Sequence, residues 1–254
     1  MMQVKLWTAS SWARRDIRYG FTGRDGGVSE GPFGTLNLSY KRCASPDHVD
    51  QNWQRLARTF GLEQADIAVL SQVHGHRVLR VVEPRGTRTP AGEADAMWTD
   101  RPNVLLAVRT ADCVPVVLAS TSEGGPIAAA HAGWRGLACG VLNRSVSSLR
   151  QAGAGRVMAV VGPCISGEAY QVGQEVVDGI AATLSSMDGI AWRDDSHPGR
   201  WRVDPGAAAC RQLEALGVEV VRIEACTSGS PFFSHRHDGP TTGRQAGLIM
   251  RVAP

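Results

Sequence analysis

The sequence predicts a mixed α/β (α+β) fold in which helices and strands alternate irregularly. Of its 254 residues, 43% are hydrophobic and 20% are charged, a composition typical of a globular chain that buries a large core. Short apolar runs are interspersed with amphipathic stretches that carry helix start and stop signals. They do not follow strict βαβ alternation, which favours mixed sheets. Length alone leaves one large domain or two small ones open.

The first third of the chain predicts three strands and one long loop. Residues 1–40 are predicted to form an early strand and a glycine-rich loop that could approach a ligand. This loop leads into LNLSY at 36–40. Runs at 67–73 and 78–82 predict two further strands, separated by a break at His74. Strand ends beside glycine are where side chains line pockets.

Helix signals mark four segments. Ser45–Pro46 is an N-cap followed by a first-turn proline, and the helix it starts places Trp53 in the core and stops at Gly61. Asp204–Pro205 repeats this signal, with Gly217 as the stop. Apolar periodicity predicts one helix from Gly133 to about Gln151 and another over 174–184.

Apolar runs predict the central strands, at 104–108, 114–119, 127–130, 157–161 and 218–223. Residues 185–200 are polar and predict irregular structure. The run of turn-forming residues at 120–125 joins two of these strands into a β-hairpin. If the turn centres near Ser122, Cys113 and His131 stand directly opposite each other, close enough to share one ion. A slip of one residue would separate them, because it reverses the face of every side chain.

His74 is the third ligand candidate. A set of His, Cys and His suits zinc, and three protein ligands leave a fourth position for water or substrate, which is the catalytic arrangement. Ligand type alone also admits copper. The same atoms support a Cys/His dyad with Cys113 as the nucleophile and His131 as its partner.

Four other residues near these motifs carry charge. Arg135, at the start of a predicted helix, and Arg236 or Arg244, in the tail, could bind phosphate or carboxylate. Asp112 alternates away from Cys113 along a strand and is predicted to be structural unless a local bend brings it in.

Composition limits the function classes. The 27 basic and 24 acidic residues give a net charge of only +3, without a dense basic block, so we expect neither nucleic acid nor a membrane as partner. Small anionic ligands remain compatible with this charge. The N-terminal stretch lacks an apolar targeting segment, which predicts a cytoplasmic protein. Six scattered cysteines without a CxxC pair predict reduced thiols.

Six strings in the chain are distinctive: SQVHG (71–75), ADAMWTD (94–100), TADCVPVVL (110–118), AAAHAGWRGL (128–137), VGPCI (161–165) and a tail with FFSHR (232–236) and TGR (242–244). With LNLSY they resemble, in order and over nearly the whole chain, the bacterial YfiH/YlmD family. That family was first labelled multicopper polyphenol oxidase or laccase-domain protein and later described as purine nucleoside phosphorylase.

The resemblance implies one domain, residues 1–254, of layered mixed sheets and helices similar to the cytotoxic necrotizing factor catalytic domain. It implies a zinc site of His74, Cys113 and His131, which would also be catalytic, and a purine nucleoside with phosphate as the substrates. We predict Asn37, Arg135 and Arg236 as substrate-binding residues. The family tail usually reads SxRR, whereas His237 follows Arg236 here, so an anion contact by a second arginine is in doubt.

The activities reported for the family are phosphorolysis of adenosine, inosine, guanosine and methylthioadenosine, and deamination of adenosine. One alternative is a peptidoglycan-editing amidase that removes a serine from a muropeptide precursor, or a Cys/His hydrolase. A copper-dependent laccase needs many histidines, and this chain has seven in total. A non-enzymatic metal-binding protein is a further alternative, for which the ligand set would be closed or dispensable.

Overall fold

The computed structural model describes residues 4–12 and 14–253. The strands are β1 Leu6–Trp7, β2 Ile17–Thr22, β3 Ile67–Val69, β4 Val78–Arg80, β5 Ala96–Thr99, β6 Leu105–Thr110, β7 Val114–Ser120, β8 Ile127–Ala132, β9 Val157–Val161, β10 Gln171–Val172, β11 Ala191–Arg193, β12 Trp201–Val203, β13 Glu219–Arg222 and β14 Gln245–Arg251. The α-helices are α1 Pro46–Thr59, α2 Trp134–Ala138, α3 Val141–Gln151, α4 Gln174–Ala181, α5 Pro205–Ala215 and α6 His235–Asp238.

Two mixed sheets form the centre of the molecule. One has the order β1-β2-β14-β6-β3 and the other β13-β9-β7-β8-β5-β4. Most neighbours are antiparallel, but the pairs β3/β6, β4/β5 and β13/β9 are parallel. The predicted mixed α/β fold is confirmed.

The hydrophobic clusters show how the layers stack. One cluster joins the inner faces of both sheets, with Phe21 and Val108 from the first sheet and Val117 and Ala129 from the second. A second cluster packs α1 against the outer face of the first sheet, and a third packs α3, α4 and α5 against the outer face of the second. The order of layers is therefore helix, sheet, sheet, helix. Because β7 and β8 are covered on both faces, they are buried and apolar almost throughout.

The helix signals at prolines are confirmed. The first helix runs over Pro46–Thr59, Trp53 is fully buried, and Gly61 has φ +73°. The α5 helix begins at Pro205, and the Asp204 carboxylate accepts a hydrogen bond from the Ala207 N–H at 2.9 Å. The start and the stop of a helix depend on residues next to each other in the chain, a capping residue, a proline or a glycine, and these can be read from the sequence.

The hairpin register predicted from a turn at Ser122 is wrong by two residues. Pro115, not Cys113, stands opposite His131, because the tight turn closes with the Gly125 N–H donating to the Ser122 carbonyl. A shift of two residues keeps the same face, whereas a shift of one would not. Cys113 and His131 are therefore diagonal neighbours on one face, and the error does not separate them.

Two other predictions are also wrong. The single helix expected from Gly133 to Gln151 is broken into α2 and α3 at Gly140, where φ is +81°. Residues 185–200, expected to be irregular, contain β11, which joins β10 and β12 in a small sheet. Strands of two or three residues are too short to show an alternating pattern.

The strand predicted over 67–73 ends at Val69. From Ser71 onward the backbone leaves the first sheet and forms hydrogen bonds with the segment before β5, with the Ser71 N–H donating to the Gly92 carbonyl.

Within the described residues no helix is both long and apolar enough to span a bilayer.

Candidate metal and substrate site

The structure brings together His74, Cys113 and His131 at one end of the two sheets. His74 lies in the loop after β3 with φ +62°, Cys113 in the bend between β6 and β7, and His131 in β8. Their ligand atoms all lie within 4.8 Å of one another, and Cys113 Sγ is 3.9 Å from His74 Nε2. The two imidazole rings meet edge to face at 84°, with centroids 4.8 Å apart.

Asp95 organises this group from a fully buried position just before β5. Its Oδ1 lies 2.8 Å from His131 Nδ1 and accepts the His74 N–H at 2.9 Å, while Oδ2 accepts the Gly75 N–H at 2.7 Å. Its carbonyl accepts the His131 N–H at 2.7 Å. The hydrogen bond at Nδ1 leaves Nε2 of His131 as the atom that can bind a metal. Sequence reasoning missed Asp95, although ADAMWTD contains it.

The charges of these groups depend on one another. Burial raises the pKa of the Cys113 thiol, but the charge of His131 and hydrogen bonds from both histidines outweigh burial and bring that pKa to about 6. Burial lowers the pKa of His131, yet the Cys113 thiolate and Asp95 raise it to about 9. A thiolate is the form of cysteine that binds metal or acts as a nucleophile.

A glycine gives the ligands room. A Cβ on Gly133 would lie 2.9 Å from His74 Cδ2 and 3.2 Å from Cys113 Sγ, closer than atoms normally pack. The string HAGWRG therefore supplies a ligand, His131, together with a position that must remain small.

Asp112 ties the tail to the bend at Cys113. It has φ +91°, and its buried carboxylate accepts bonds from Thr227 Oγ1 at 2.8 Å, Ser234 Oγ at 2.7 Å and the Arg236 N–H at 2.7 Å. Asp112 lies with Cys113 in a bend and not in a strand, so the predicted alternation of the two side chains does not apply, and both line one small recess. The three contacts support a structural role for Asp112. They also bring the segment before and within α6 next to the ligand set.

The ligand set opens into a cavity of about 380 Å³, a volume in the range of small-molecule sites. Five basic side chains also line it, together with Ser39, Gln72, Thr110 and Ala111; the basic ones are Lys41, Arg42, Arg109, Arg244 and His235. No acidic residue of the described chain belongs to this lining. The end of LNLSY and the two basic residues after it reach the site, whereas no residue of the glycine-rich loop at 23–34 belongs to this lining. Arg244, predicted as an anion contact, also lies in the lining. Sequence analysis did not single out Lys41, Arg42 or Arg109.

The three predicted substrate-binding residues are not part of this lining. Asn37 is fully buried, and its amide bonds to backbone atoms of Ser39, Arg42 and Arg244. Arg135 stacks on Trp134 with its guanidinium 4.4 Å from the ring centroid, and Arg236 stacks on Tyr170 at 5.1 Å.

Trp134 and Tyr170 line a small apolar recess of about 40 Å³ on another side of Cys113. The helix that begins beside His131 and carries Arg135 is α2, which has only five residues. His237, which follows Arg236, bonds to Asp238 and lies outside the cavity lining.

The donor set fits a metal ion of the zinc type. It combines one thiolate with two imidazoles. The buried Asp95 carboxylate orients the His131 ring, as a carboxylate commonly does for a histidine that binds metal. Within residues 4–12 and 14–253 this is the one group of three or more His, Cys, Asp or Glu side chains placed for an ion. A multicopper centre requires several such groups.

Comparison with known proteins gives a consistent result. A family model described as "Multi-copper polyphenol oxidoreductase laccase" matches residues 18–252. The chain is 36% identical to "Purine nucleoside phosphorylase YfiH" of Escherichia coli, over 90% of this chain and 91% of that protein. The chain belongs to the YfiH family.

Other YfiH-family members agree in fold and in name. The crystal structure of YlmD from Geobacillus stearothermophilus superposes with a TM-score of 0.87 at 33% identity, covering 94% of this chain and 93% of that one. A Deinococcus radiodurans protein named "Purine nucleoside phosphorylase" is 39% identical over 92% of this chain and 88% of its own length. The names of these relatives differ from the laccase description of the family model.

Proposed function

We propose that this protein is a zinc-dependent purine nucleoside phosphorylase. The observation that supports this most is the cavity, where a three-ligand set faces a wall of cations without a carboxylate. Phosphate is the co-substrate that such a wall suits. In the reaction a phosphate oxygen attacks C1′ of the ribose, the bond from C1′ to the purine nitrogen breaks, and the purine leaves with the electron pair.

In this proposal His74, Cys113 and His131 hold the zinc, and Asp95 keeps His131 in the correct tautomer. A zinc ion held by these three residues would supply Lewis-acid chemistry. The basic side chains bind phosphate, which removes the entropy cost of bringing two reactants together. Arg135 and Arg236 are proposed to contact substrate groups that extend past Cys113, whereas Asn37 is proposed to act indirectly, through Arg42 and Arg244.

Adenosine deamination is a second candidate activity. A zinc ion held by three protein ligands would keep one position open for water, and water is the nucleophile that deamination requires at purine C6. This reaction gives inosine and ammonia and does not need phosphate. The two activities can therefore be separated by the phosphate dependence of the products.

A cysteine hydrolase is the alternative that Cys113 itself favours, because its pKa of about 6 makes it a thiolate at neutral pH. This hydrolase predicts a covalent intermediate and activity that survives chelation. The peptidoglycan-editing amidase is a further alternative, and a serine-containing muropeptide tests it.

The test is product analysis with zinc-replete protein. The panel contains adenosine, inosine, guanosine, methylthioadenosine and a serine-containing muropeptide, each with and without phosphate. We expect a free purine and a ribose 1-phosphate that appear only with phosphate, and loss of both in Cys113→Ser. Release of serine from the muropeptide by metal-free protein, without turnover of nucleosides, would replace the phosphorylase with the hydrolase.

A further inference from the structure

Three arginines in the cavity wall have no acidic partner. Arg42, Arg109 and Arg244 form no ion pair with any acidic residue of the described chain. Their guanidinium groups donate only to carbonyl oxygens: Arg109 to Leu70 at 2.8 Å, Arg244 to Thr242 and Gly243, and Arg42 to Pro240 at 3.0 Å. Each guanidinium has five N–H donors, so most of them are available to a ligand.

These arginines are close enough to repel one another. Burial, and then the charge of Arg244, lowers the pKa of Arg109. Burial, and then the charge of Arg42, lowers the pKa of Arg244. The charges of Cys113 and Asp112 act on Arg244 in the opposite direction and raise its pKa. Partly buried like charges are unfavourable without a counter-ion, so this arrangement favours binding of an anion.

Two amide side chains hold the arginines in place. Asn37 Oδ1 accepts the Arg244 N–H at 2.9 Å, and Asn37 Nδ2 donates to the Arg42 carbonyl. The Gln72 side-chain amide forms two hydrogen bonds with the backbone of Arg109: its Oε1 accepts the Arg109 N–H at 2.8 Å, and its Nε2 donates to the Arg109 carbonyl at 2.7 Å. The backbone of all three arginines is therefore fixed before a ligand arrives, which reduces the entropy cost of binding.

We propose that Arg42, Arg109 and Arg244 form a subsite for a tetrahedral oxyanion, and that inorganic phosphate binds there without the metal. The assignment rests on the proposed phosphorylase function and names its phosphate site. Arg109 and Arg244 form the inner wall, and the exposed Arg42 stands at the mouth. Paired N–H donors of guanidinium groups match the oxygens of phosphate. Asn37 is a positioning residue for two of the three arginines.

The test measures binding of inorganic phosphate alone to full-length protein, by calorimetry at constant ionic strength, before and after chelation of zinc. We expect saturable binding in both forms. Arg244→Gln and Arg42→Gln should weaken it about 10- to 100-fold, because each removes charged hydrogen bonds. The control Arg156→Gln also removes one positive charge, but from a side chain that is 82% exposed and lies outside the cavity lining, and its affinity should stay within about twofold.

Phosphate binding that disappears on chelation, or that is equal in wild type and both cavity variants, would overturn the subsite. Arg42 is exposed, so Arg42→Gln remains informative if Arg244→Gln fails to fold. Failure of the subsite and failure of the function give different results. Phosphorolysis with an unchanged phosphate KM in Arg42→Gln rejects the subsite alone, whereas metal-independent phosphate binding without turnover of any nucleoside rejects the phosphorylase alone.

Discussion

Asp95 does not line the cavity, but it supports two of the three candidate metal ligands. Its buried carboxylate orients the His131 ring and accepts hydrogen bonds from the backbone N–H groups of Val73, His74 and Gly75. These bonds fix the position of His74. Hydrogen bonds from His131 and from these N–H groups outweigh burial and hold the pKa of Asp95 below its usual range. An ionised carboxylate at this position supports two of the three ligands at once.

We expect Asp95→Asn to lower zinc affinity about 10- to 100-fold, because an amide has one acceptor oxygen for contacts that a carboxylate shares between two. Competition with a chromogenic chelator measures the affinity. Asp100→Asn, which changes a partly exposed partner of Arg80, is the matched control and should leave zinc affinity unchanged. Equal affinities in both variants would contradict the role given to Asp95.

The reactivity of Cys113 gives a pH dependence. In metal-free protein the thiolate forms as the pH rises through about 6, so alkylation by iodoacetamide should follow a midpoint near pH 6 instead of one near the usual ~8.5. Zinc should abolish this reaction at every pH where it stays bound. Mass spectrometry of the labelled peptide, with Cys113→Ser as control, measures the midpoint. A midpoint above pH 8 would show that His131 does not act on the thiol.

Gly133→Ala tests the space around the ligands. The added Cβ would meet the His74 ring and Cys113 Sγ, so we expect zinc affinity to fall about tenfold or more. Gly155→Ala is the control, because a Cβ there meets nothing within 4 Å. Zinc affinity equal to that of the control would mean that the ligands move aside without cost.

At the scale of elements, Asp204 joins a helix to a strand. It caps α5 through the Ala207 N–H, and both its oxygens lie 2.9–3.0 Å from Arg222 Nη2 in β13. We expect Asp204→Ala to lower the free energy of unfolding by about 1–3 kcal/mol, since it removes a cap and a charged hydrogen bond. Asp204→Asn keeps a capping oxygen and should lose less. Urea unfolding measures both, and equal losses would show that the cap contributes little.

At the scale of the molecule, the ligands connect the two sheets. His74 follows β3 of the first sheet, His131 lies in β8 of the second, and Cys113 lies in the bend between them. Free zinc at about 100 times its Kd would stabilise the fold by ~2.7 kcal/mol, or about 5–10 °C in Tm for a domain of this size. Calorimetry with and without chelator measures the shift. Because none of the three hydrophobic clusters contains His74, Cys113 or His131, the far-ultraviolet spectrum at 25 °C should not change, and unfolding on chelation would contradict this.

The sequence by itself determined the features that depend on neighbouring residues. Proline and a capping residue started α1 and α5, and fully apolar runs marked the central strands β6, β7, β8 and β9. The alternation of side chains along the hairpin also placed Cys113 and His131 on one face, since that alternation survives a register error of two residues.

Tertiary structure alone decided which distant residues meet. Asp95 and the cavity arginines show no periodicity or cap, and Arg42, Arg109 and Arg244 come together from a loop, β6 and the segment before β14. Register likewise depends on turn closure and on packing between sheets, and the alternating pattern is unchanged by a shift of two residues. Local chemistry therefore predicted most of the longer elements and the three candidate ligands, whereas the supporting carboxylate and the cationic wall followed from contacts between segments far apart in the chain.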